Sequence, residues 1–180
     1  NSINWGRITA QVVYYFFGYF KVIKRSKKNL MHPVSFAVPS GNFGNILSGF
    51  VAKKMGLPVK NLVLATNENN VLDDFFKSGI YRVRNPKETF VTSSPSMDIS
   101  KASNFERFIY EIFDRDSKYV STLWAELEKN NSFSIDAQSL ANLKRESGII
   151  SGSSRHVNRI DAMQRIYKSN QLVIDPHTAD

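Results

Sequence analysis

The chain has 180 residues, 42% of them apolar and 22% charged, which is the composition of an ordinary globular domain or of a large part of one. Its longest apolar run, Val12–Phe20, has nine residues, whereas a membrane-spanning helix needs about 20, so no membrane segment is expected. The start, Asn1–Asn4, lacks the basic and apolar regions of a secretory signal and has no initiator methionine, which suggests an excerpt. Cysteine is absent, which excludes disulfides and favours a cytoplasmic location.

The formal net charge of +8 comes largely from one cluster. Such a cluster can bind nucleic acid, but it is also typical of a helix C-terminus, where basic side chains meet the negative end of the helix dipole. No aromatic or glycine-rich RNA-binding motif lies beside it, so the helix-end interpretation is preferred and no nucleic-acid partner is expected. The cluster consists of Lys21, Lys24, Arg25, Lys27 and Lys28.

The first half of the chain predicts alternating helices and strands. Asn4 to about Lys24 reads as one helix with aromatic residues on several faces, which predicts burial on most sides. Val34–Val38 is a short β-prone run, and Ile46–Met55 has apolar residues at helical spacing. A second strand, Leu62–Thr66, and a helix over Val71–Lys77 follow.

This order of strand, helix and strand indicates a βαβ unit with parallel strands. The predicted fold class is therefore α/β, with an open, mainly parallel sheet flanked by helices. Residues 81–100 are predicted as loop with a short strand at most. The remaining predicted elements are a helix capped by Ser103 or Asn104 and ending near Phe113, helices over Tyr119–Glu128, Ala137–Glu146 and Arg155–Lys168, and strands over Gly148–Ser151 and Leu172–Ile174.

Two glycines, Gly41 and Gly44, stand in the first strand-to-helix turn beside Ser40, Asn42 and Asn45. Glycine allows close approach of the backbone and unusual φ values, and the first amides of a helix lack internal partners. Together these features form a cradle for an anion such as a phosphate. The spacing matches neither the dinucleotide-binding G-x-G-x-x-G nor a Walker A loop. Spacing alone therefore leaves an ordinary capped turn equally open.

The identity of the turn residues is more informative. The sequence Ser40-Gly41-Asn42-Phe43-Gly44-Asn45 closely resembles the loop with which threonine synthases hold the phosphate of pyridoxal phosphate. Gly6 and Asn70 depart from the family pattern, which has alanine and aspartate there. The other blocks that resemble this family, in the same order, are Asn1–Trp5 with Ala10-Gln11 and Tyr14–Phe16, Leu64–Asn67, Ser94–Ile99 with Ser103–Arg107, and Asp175–Ala179.

The resemblance implies a part of the tryptophan-synthase-β-like fold, with pyridoxal 5'-phosphate as the cofactor. It implies that residues 1–180 belong to the large, cofactor-binding domain, with a helical segment at about 103–146 that is either an insertion or packed around that domain. The implied reaction converts O-phospho-L-homoserine and water to L-threonine and phosphate. The implied partners are this substrate and the missing N- and C-terminal parts of the same polypeptide.

The resemblance also shows what this chain lacks. The family's Schiff-base lysine lies in a Ser/Thr-x-Lys-Asp segment that is N-terminal to everything here, and no lysine of this chain is followed by aspartate. Lys118 comes nearest and fits poorly, because its segment reads as a polar helix. No catalytic residue is therefore assigned, the partner of the pyridine nitrogen is expected beyond Asp180, and the piece alone is expected to be inactive.

The remaining polar residues favour structural roles. Asp175 and Thr178 can cap a helix, although the family resemblance also places their turn near the cofactor. His177 has no histidine or cysteine at metal-ligand spacing, so no metal is predicted. His32 and His156 are expected to be exposed. Glu106 and Arg107 are expected to form structural ion pairs.

Two alternative functions remain open at the level of sequence. The first is a related enzyme of the same fold, such as a serine or threonine dehydratase, against which the block from Ser94 to Arg107 argues. The second is a non-enzymatic homologue, or a basic module that binds through Lys21–Lys28. Salt-dependent binding to nucleic acid would favour the second.

Overall fold

The computed structural model describes residues 3–180, so Asn1 and Ser2 of the first family-like block lie outside the described residues. The predicted alternation of helices and strands is confirmed for most of the chain. The helices are α1 (Trp5–Ser26), α2 (Gly44–Lys54), α3 (Val71–Ser78), α4 (Phe105–Ile112), α5 (Ser117–Asn130), α6 (Ala137–Ser147), α7 (His156–Asn170) and α8 (Pro176–Ala179). The strands are β1 (Val34–Pro39), β2 (Val59–Thr66), β3 (Ile80–Arg82), β4 (Ser132–Ser134) and β5 (Ile149–Ser153).

The predicted parallel sheet is confirmed. Three strands lie in the order β1-β2-β5, and both neighbouring pairs are parallel. Leu62 and Leu64 of the central strand are fully buried, since helices cover the sheet. The parallel arrangement brings the carboxyl ends of the three strands to one edge, where ligands bind in open α/β sheets.

Helix α1 is buried on one face only, so the prediction of burial on most sides is wrong for the described part of the chain. Its buried residues, Ile8, Val12, Tyr15, Tyr19 and Ile23, recur every three or four positions, as on one face of a helix. The opposite face is open because no element within residues 3–180 packs over it. The large apolar side chains exposed there include Val13, Tyr14, Phe17 and Phe20.

The basic cluster lies at the C-terminus of α1, as predicted. Lys24 and Arg25 occupy the last turn, and Lys27 ends the helix in a left-handed conformation. The ammonium of Lys21 lies 4.6 Å from the centre of the Phe17 ring, on the open face of the helix. Over residues 3–180, no helix combines the length and the apolar character that crossing a bilayer demands.

Helices α3 to α6 enclose an aromatic core with a small antiparallel pair of strands. Tyr81 of β3 lies opposite Phe133 of β4, and both rings are buried. The Phe75 ring contacts both of them as well as Phe105, at centroid distances of 4.9–6.3 Å. The helices predicted between residues 103 and 146 are confirmed. Strand β4 was missed, because three residues of alternating serine and phenylalanine give no periodic signal.

The strand predicted over Leu172–Ile174 is wrong. These residues have no regular secondary structure, and Leu172 and Val173 are more than half exposed. Strand formation by apolar residues depends on a neighbouring strand with which to pair. Within the described residues, no strand lies beside this segment.

The packing of α1 on α2 depends on Gly49, which yields a test of the fold. A Cβ atom at Gly49 would lie 2.6 Å from the Tyr15 ring and 2.9 Å from a methyl carbon of Leu62. Helix propensity alone would favour alanine by about 1 kcal/mol, but the overlap should dominate. Gly49→Ala is expected to lower the free energy of unfolding by about 1–2 kcal/mol in urea denaturation. Gly152→Ala is the control, since its Cβ would meet nothing within 4 Å. Equal stability of the two variants would contradict this packing.

Candidate functional site

The predicted anion-binding segment, Ser40–Asn45, lies at the carboxyl edge of the sheet, as the loop Ser40–Phe43 and the first two residues of α2. It begins where β1 ends and leads into α2. The amide of Ser40 donates to the carbonyl of Ala65 in β2 at 2.9 Å, which extends the contact between the two strands by one residue. The start of the loop is therefore held to the central strand.

The loop and the first residues of α2 present unpartnered backbone donors. No amide of Gly41–Asn45 donates a hydrogen bond to any residue in the described range 3–180. Phe43, at the N-cap, offers no side-chain acceptor, and the first turn of α2 contains no acidic residue. Several amides without acceptors therefore lie together at the positive end of the helix dipole, which is the kind of site that binds an anion.

The left-handed residue of the loop is Phe43, with φ of 62°, whereas the sequence indicated the two glycines. Neither Gly41 nor Gly44 has a positive φ. The conformation costs a residue with a side chain about 1–3 kcal/mol. The Phe43 ring is fully buried against Phe105 and Phe108, at centroid distances of 5.3 and 5.1 Å. Burial of a phenylalanine contributes about 1.5–3 kcal/mol, which offsets the strain.

Gly41 is required for a close approach rather than for its φ. A Cβ atom there would lie 2.7 Å from the carbonyl oxygen of Ser96 and 3.2 Å from the Cα of Met97. A side chain at this position would push the loop away from the turn that contains Ser96.

Ser40 carries a buried hydroxyl with no partner. The residue is 4% exposed, and its Oγ makes no hydrogen bond to another described residue. An unpaired buried hydroxyl costs about 1–3 kcal/mol, so such a group usually has a ligand or water as its partner. Its position at the start of the loop places this donor beside the open amides.

The two asparagines of the loop make different contacts. The backbone carbonyl of Asn42 accepts from the amide and the side chain of Asn104, both at 3.1 Å, so the loop is held to the start of α4. Asn45 is exposed, and its Oδ1 accepts from the Tyr15 hydroxyl at 2.6 Å. That contact leaves the Nδ2 group of Asn45 as a donor. Burial raises the pKa of Tyr15, so its hydroxyl stays protonated and keeps donating.

A segment that the sequence marked only by its family resemblance packs against this loop. We call residues 92–98 the strap. The carboxylate of Asp98 accepts from the side chains of Asn67 and Asn69 at 2.8 and 3.0 Å, and from the amide and hydroxyl of Thr92 at 2.9 and 2.6 Å. Asn67 and Asn69 lie in the turn after β2, so the strap is fixed to the carboxyl edge of the central strand.

A buried arginine, which the sequence analysis missed, joins α7 to the same turn. The Arg159 guanidinium is 1% exposed and contacts Glu68 and Asp180 at 2.8 Å, and it donates to the Ser93 hydroxyl at 2.9 Å. Partial burial opposes ionisation of Glu68, but hydrogen bonds from Arg159 and from the His156 amide hold its pKa below the ordinary value of 4.5. An arginine in a polar helix reads as exposed, so no sequence signal marked it.

The late turn, Asp175–Thr178, has the capping role that was predicted. Asp175 accepts from the amides of His177 and Thr178 at the start of α8. Hydrogen bonds from the Thr178 hydroxyl and from His177 lower the pKa of Asp175 to about 2. In addition, Nε2 of His177 accepts from the amide of Ser96 in the strap, at 3.2 Å. The late turn therefore contacts the strap beside the loop, although residues 40–45 make no direct hydrogen bond to it.

Other sequence expectations had mixed outcomes. Asn104 precedes α4, but its side chain does not cap that helix. Glu106 and Arg107 form no ion pair with a described residue; instead Arg107 donates to Asn104 and to the carbonyl of Ile3. The predicted exposure of His32 and His156 is confirmed. Lys118 lies in α5, as its polar segment predicted, and it is exposed. Across residues 3–180, no cluster of three or more potential ligands is placed to hold a metal ion.

A polar cleft of about 710 Å³ lies beyond β5 at the same edge of the sheet. Glu68, Arg84 and Arg155 are among its lining residues. The Arg84 guanidinium is already engaged, because it donates to the Glu68 carbonyl at 3.0 Å and to Asp74 at 3.1 Å.

The sequence and the fold of this chain were compared with those of known proteins. No family model matches the chain. It is 51% identical over 180 residues to a threonine synthase from Methylobacillus glycogenes, covering 100% of this chain and 37% of that protein. It is 46% identical over 181 residues to a threonine synthase from Corynebacterium glutamicum, with the same shares covered. Over its whole length, the chain is similar to part of the threonine synthases.

The fold agrees with this similarity. A PLP-bound threonine synthase from Brucella melitensis superposes with a TM-score of 0.90 at 38% identity, over 99% of this chain and 36% of that one. The chain thus spans little more than a third of the length of the threonine synthases that it matches. The resemblance inferred from five short blocks is confirmed.

The Arg159 cluster supports a prediction about stability in acid. Arg159→Met leaves Glu68 and Asp180 without their cation, so the free energy of unfolding should fall by about 3–5 kcal/mol at neutral pH. Because the pKa of Glu68 is lowered in the folded state, its contribution is present above its unfolded pKa and is lost as pH falls below 4.5. The variant should therefore lose less stability than the wild type on acidification, as measured by urea denaturation at several pH values.

The control for this experiment is Arg165→Met, which removes an exposed pair with Asp161. An exposed pair of this kind contributes about 0–1 kcal/mol. If Arg159→Met and Arg165→Met cost the same, or if the acid profile is unchanged, the buried cluster does not stabilise the turn after β2.

Proposed function

We propose that this chain supplies the phosphate-binding part of the cofactor site in a pyridoxal-phosphate-dependent threonine synthase. The observation that carries the proposal is the group of unpartnered donors at Ser40–Asn45, on the carboxyl edge of a parallel sheet whose fold matches a PLP-bound threonine synthase. The reaction proposed for the whole polypeptide converts O-phospho-L-homoserine and water to L-threonine and phosphate.

The residues present fit a phosphate monoester. Five consecutive amides from Gly41 to Asn45 and the Ser40 hydroxyl can donate to its oxygens without themselves carrying a charge. The Nδ2 group of Asn45, oriented by Tyr15, is a further donor at the outer side. The buried Phe43 ring fixes the loop, so little entropy is lost when the phosphate binds.

When bound, the cofactor would act as an electron sink, because its pyridine ring can accept electron density from the substrate. This chain's residues hold the phosphate end and thereby orient the ring. The strap and the turn after β2 form one wall beside the loop, fixed by Asp98. No residue of this chain is assigned to move a proton.

The rest of the polypeptide is part of the proposal. The Schiff-base lysine must come from a segment outside these 180 residues, so the chain alone should form no threonine. We assign residues 1–180 to the large, cofactor-binding domain, including the helices α4 to α6. The open face of α1 is assigned to packing against other parts of the same polypeptide, since the relatives are almost three times as long. A cytoplasmic location is proposed from the absence of cysteine.

Substrate preference separates this proposal from its enzymatic rival. The full-length protein should release phosphate from O-phospho-L-homoserine with formation of L-threonine, and it should not deaminate threonine. Production of a 2-oxo acid from threonine or serine, with no phosphate release, would identify a dehydratase. The other rival is a basic module that binds nucleic acid through Lys21–Lys28. Under our proposal, fluorescence titration of the protein with single-stranded nucleic acid should show no steeply salt-dependent binding.

Removal of the Ser40 hydroxyl tests the phosphate site directly. In the full-length protein, Ser40→Ala is expected to weaken the equilibrium binding of pyridoxal phosphate about 10- to 100-fold, because one hydrogen bond to a charged oxygen is lost. Cofactor fluorescence or equilibrium dialysis measures the dissociation constant. The variant should unfold at a temperature close to that of the wild type in the absence of cofactor.

Ser103→Ala is the matched control. Ser103 also has a buried Oγ without a partner, but it lies outside the loop, at the start of α4. Its loss should leave cofactor affinity unchanged. If both variants bind like the wild type, the Ser40 hydroxyl does not reach the phosphate; if both weaken binding equally, the effect comes from packing.

A further inference from the structure

The atoms nearest to a Cβ at Gly41 belong to the strap. The carbonyl oxygen of Ser96 and the Cα of Met97 lie against the Gly41 backbone. Met97 is 3% exposed, so the tip of the strap packs inward and toward the loop. A shift of Ser96 would therefore open space directly beside the first of the unpartnered amides.

The base of the strap is held by hydrogen bonds to the turn after β2, whereas its tip is held by the buried Met97 side chain and by one described hydrogen bond from Ser96 to a residue outside the strap. Asp98 fixes the base with four hydrogen bonds to Thr92, Asn67 and Asn69. At the tip, the Ser96 amide has a single acceptor, Nε2 of His177. His177 lies in the first turn of α8, 81 residues further along the chain.

The surroundings of His177 select the tautomer that can accept this bond. Nδ1 lies 3.1 Å from Oδ1 of Asp175, whose carboxylate is further held by the Thr178 hydroxyl at 2.7 Å. Nδ1 therefore carries the proton and donates to Asp175, which leaves Nε2 with a lone pair toward the Ser96 amide. A proton on Nε2 would face the Ser96 amide, which is itself a donor, so this hydrogen bond needs the lone pair on Nε2.

We propose that His177 is a positioning residue for the phosphate loop: by accepting from the Ser96 amide, it holds the strap against Gly41 and keeps the loop amides aligned. The inference rests on the proposed function and adds to it a residue that makes no described hydrogen bond to residues 40–45. Asp175 acts with His177 by fixing the ring. The turn that resembles a late family block is thereby connected physically to the phosphate loop.

The expected effect is small but measurable. A single neutral hydrogen bond contributes about 0.5–1.5 kcal/mol. A change of about 1.4 kcal/mol in binding free energy changes the dissociation constant tenfold. Loss of the His177 acceptor should thus weaken pyridoxal phosphate binding by about 2- to 10-fold. The fold should persist, because the strap keeps Asp98 and the buried Met97.

The experiment uses the full-length protein with His177→Leu, which removes the acceptor, and His177→Gln, whose side-chain oxygen can replace Nε2. His32→Leu is the control, since His32 is exposed and its side chain lies outside the strap and the loop. The dissociation constant of pyridoxal phosphate and the ³¹P chemical shift of its bound phosphate report the loop. Amide hydrogen exchange over residues 92–98, without cofactor, reports the strap.

We expect weaker binding, a changed ³¹P shift and faster exchange of the strap in His177→Leu, with all three restored in His177→Gln and normal in His32→Leu. A His177→Leu protein that binds as tightly as the wild type with the same ³¹P shift would overturn this inference alone. So would a His177→Gln protein as weak as His177→Leu. A wild-type protein without affinity for the cofactor would overturn the proposed function and this inference together.

Discussion

The burial of one aromatic ring controls the geometry of the candidate site. Phe43 takes a left-handed conformation that a residue with a side chain adopts only when its surroundings compensate for about 1–3 kcal/mol. Contacts with Phe105 and Phe108 compensate, since each aromatic pair contributes about 0.5–1.5 kcal/mol beyond burial. The same core that stabilises α4 therefore holds the backbone of the loop in this conformation. Because the Phe43 ring is part of the core and its backbone is part of the loop, core substitutions near Phe43 will alter the conformation of the loop.

Parallel strands explain why residues distant in sequence meet at this loop. The chain passes the carboxyl edge after β1, β2 and β5, and each passage contributes a turn: the loop, Asn67–Asn69, and the segment leading to Arg159. The strap and the start of α8 then connect these passages through Asp98 and His177. Stability at this edge comes from hydrogen-bonded carboxylates as well as from apolar packing.

Periodicity and residue identity predicted much of this arrangement. The parallel sheet, α1 to α7 and the loop at Ser40–Asn45 followed from apolar spacing and glycine placement, because these report local backbone geometry. The long-range polar contacts of Arg159, Asp98 and His177 did not follow, since no local pattern distinguishes a buried arginine from an exposed one. The wrong predictions for Leu172–Ile174 and for the open face of α1 have the same cause. An apolar segment predicts burial, but it does not say which other element covers it.

Asp98 is an acidic residue of the strap, which packs against the loop, so it could repel a phosphate held there. Its two carboxylate oxygens accept four hydrogen bonds, from Asn67, Asn69 and Thr92. Donors aligned in this way neutralise much of the local field of a carboxylate, and the partly buried position of Asp98 strengthens those bonds. The open amides of Gly41–Asn45 face no such acceptor among the described residues. The strap can therefore carry an anionic side chain beside the proposed anion-binding loop, because Asp98 and the proposed phosphate would use separate sets of donors.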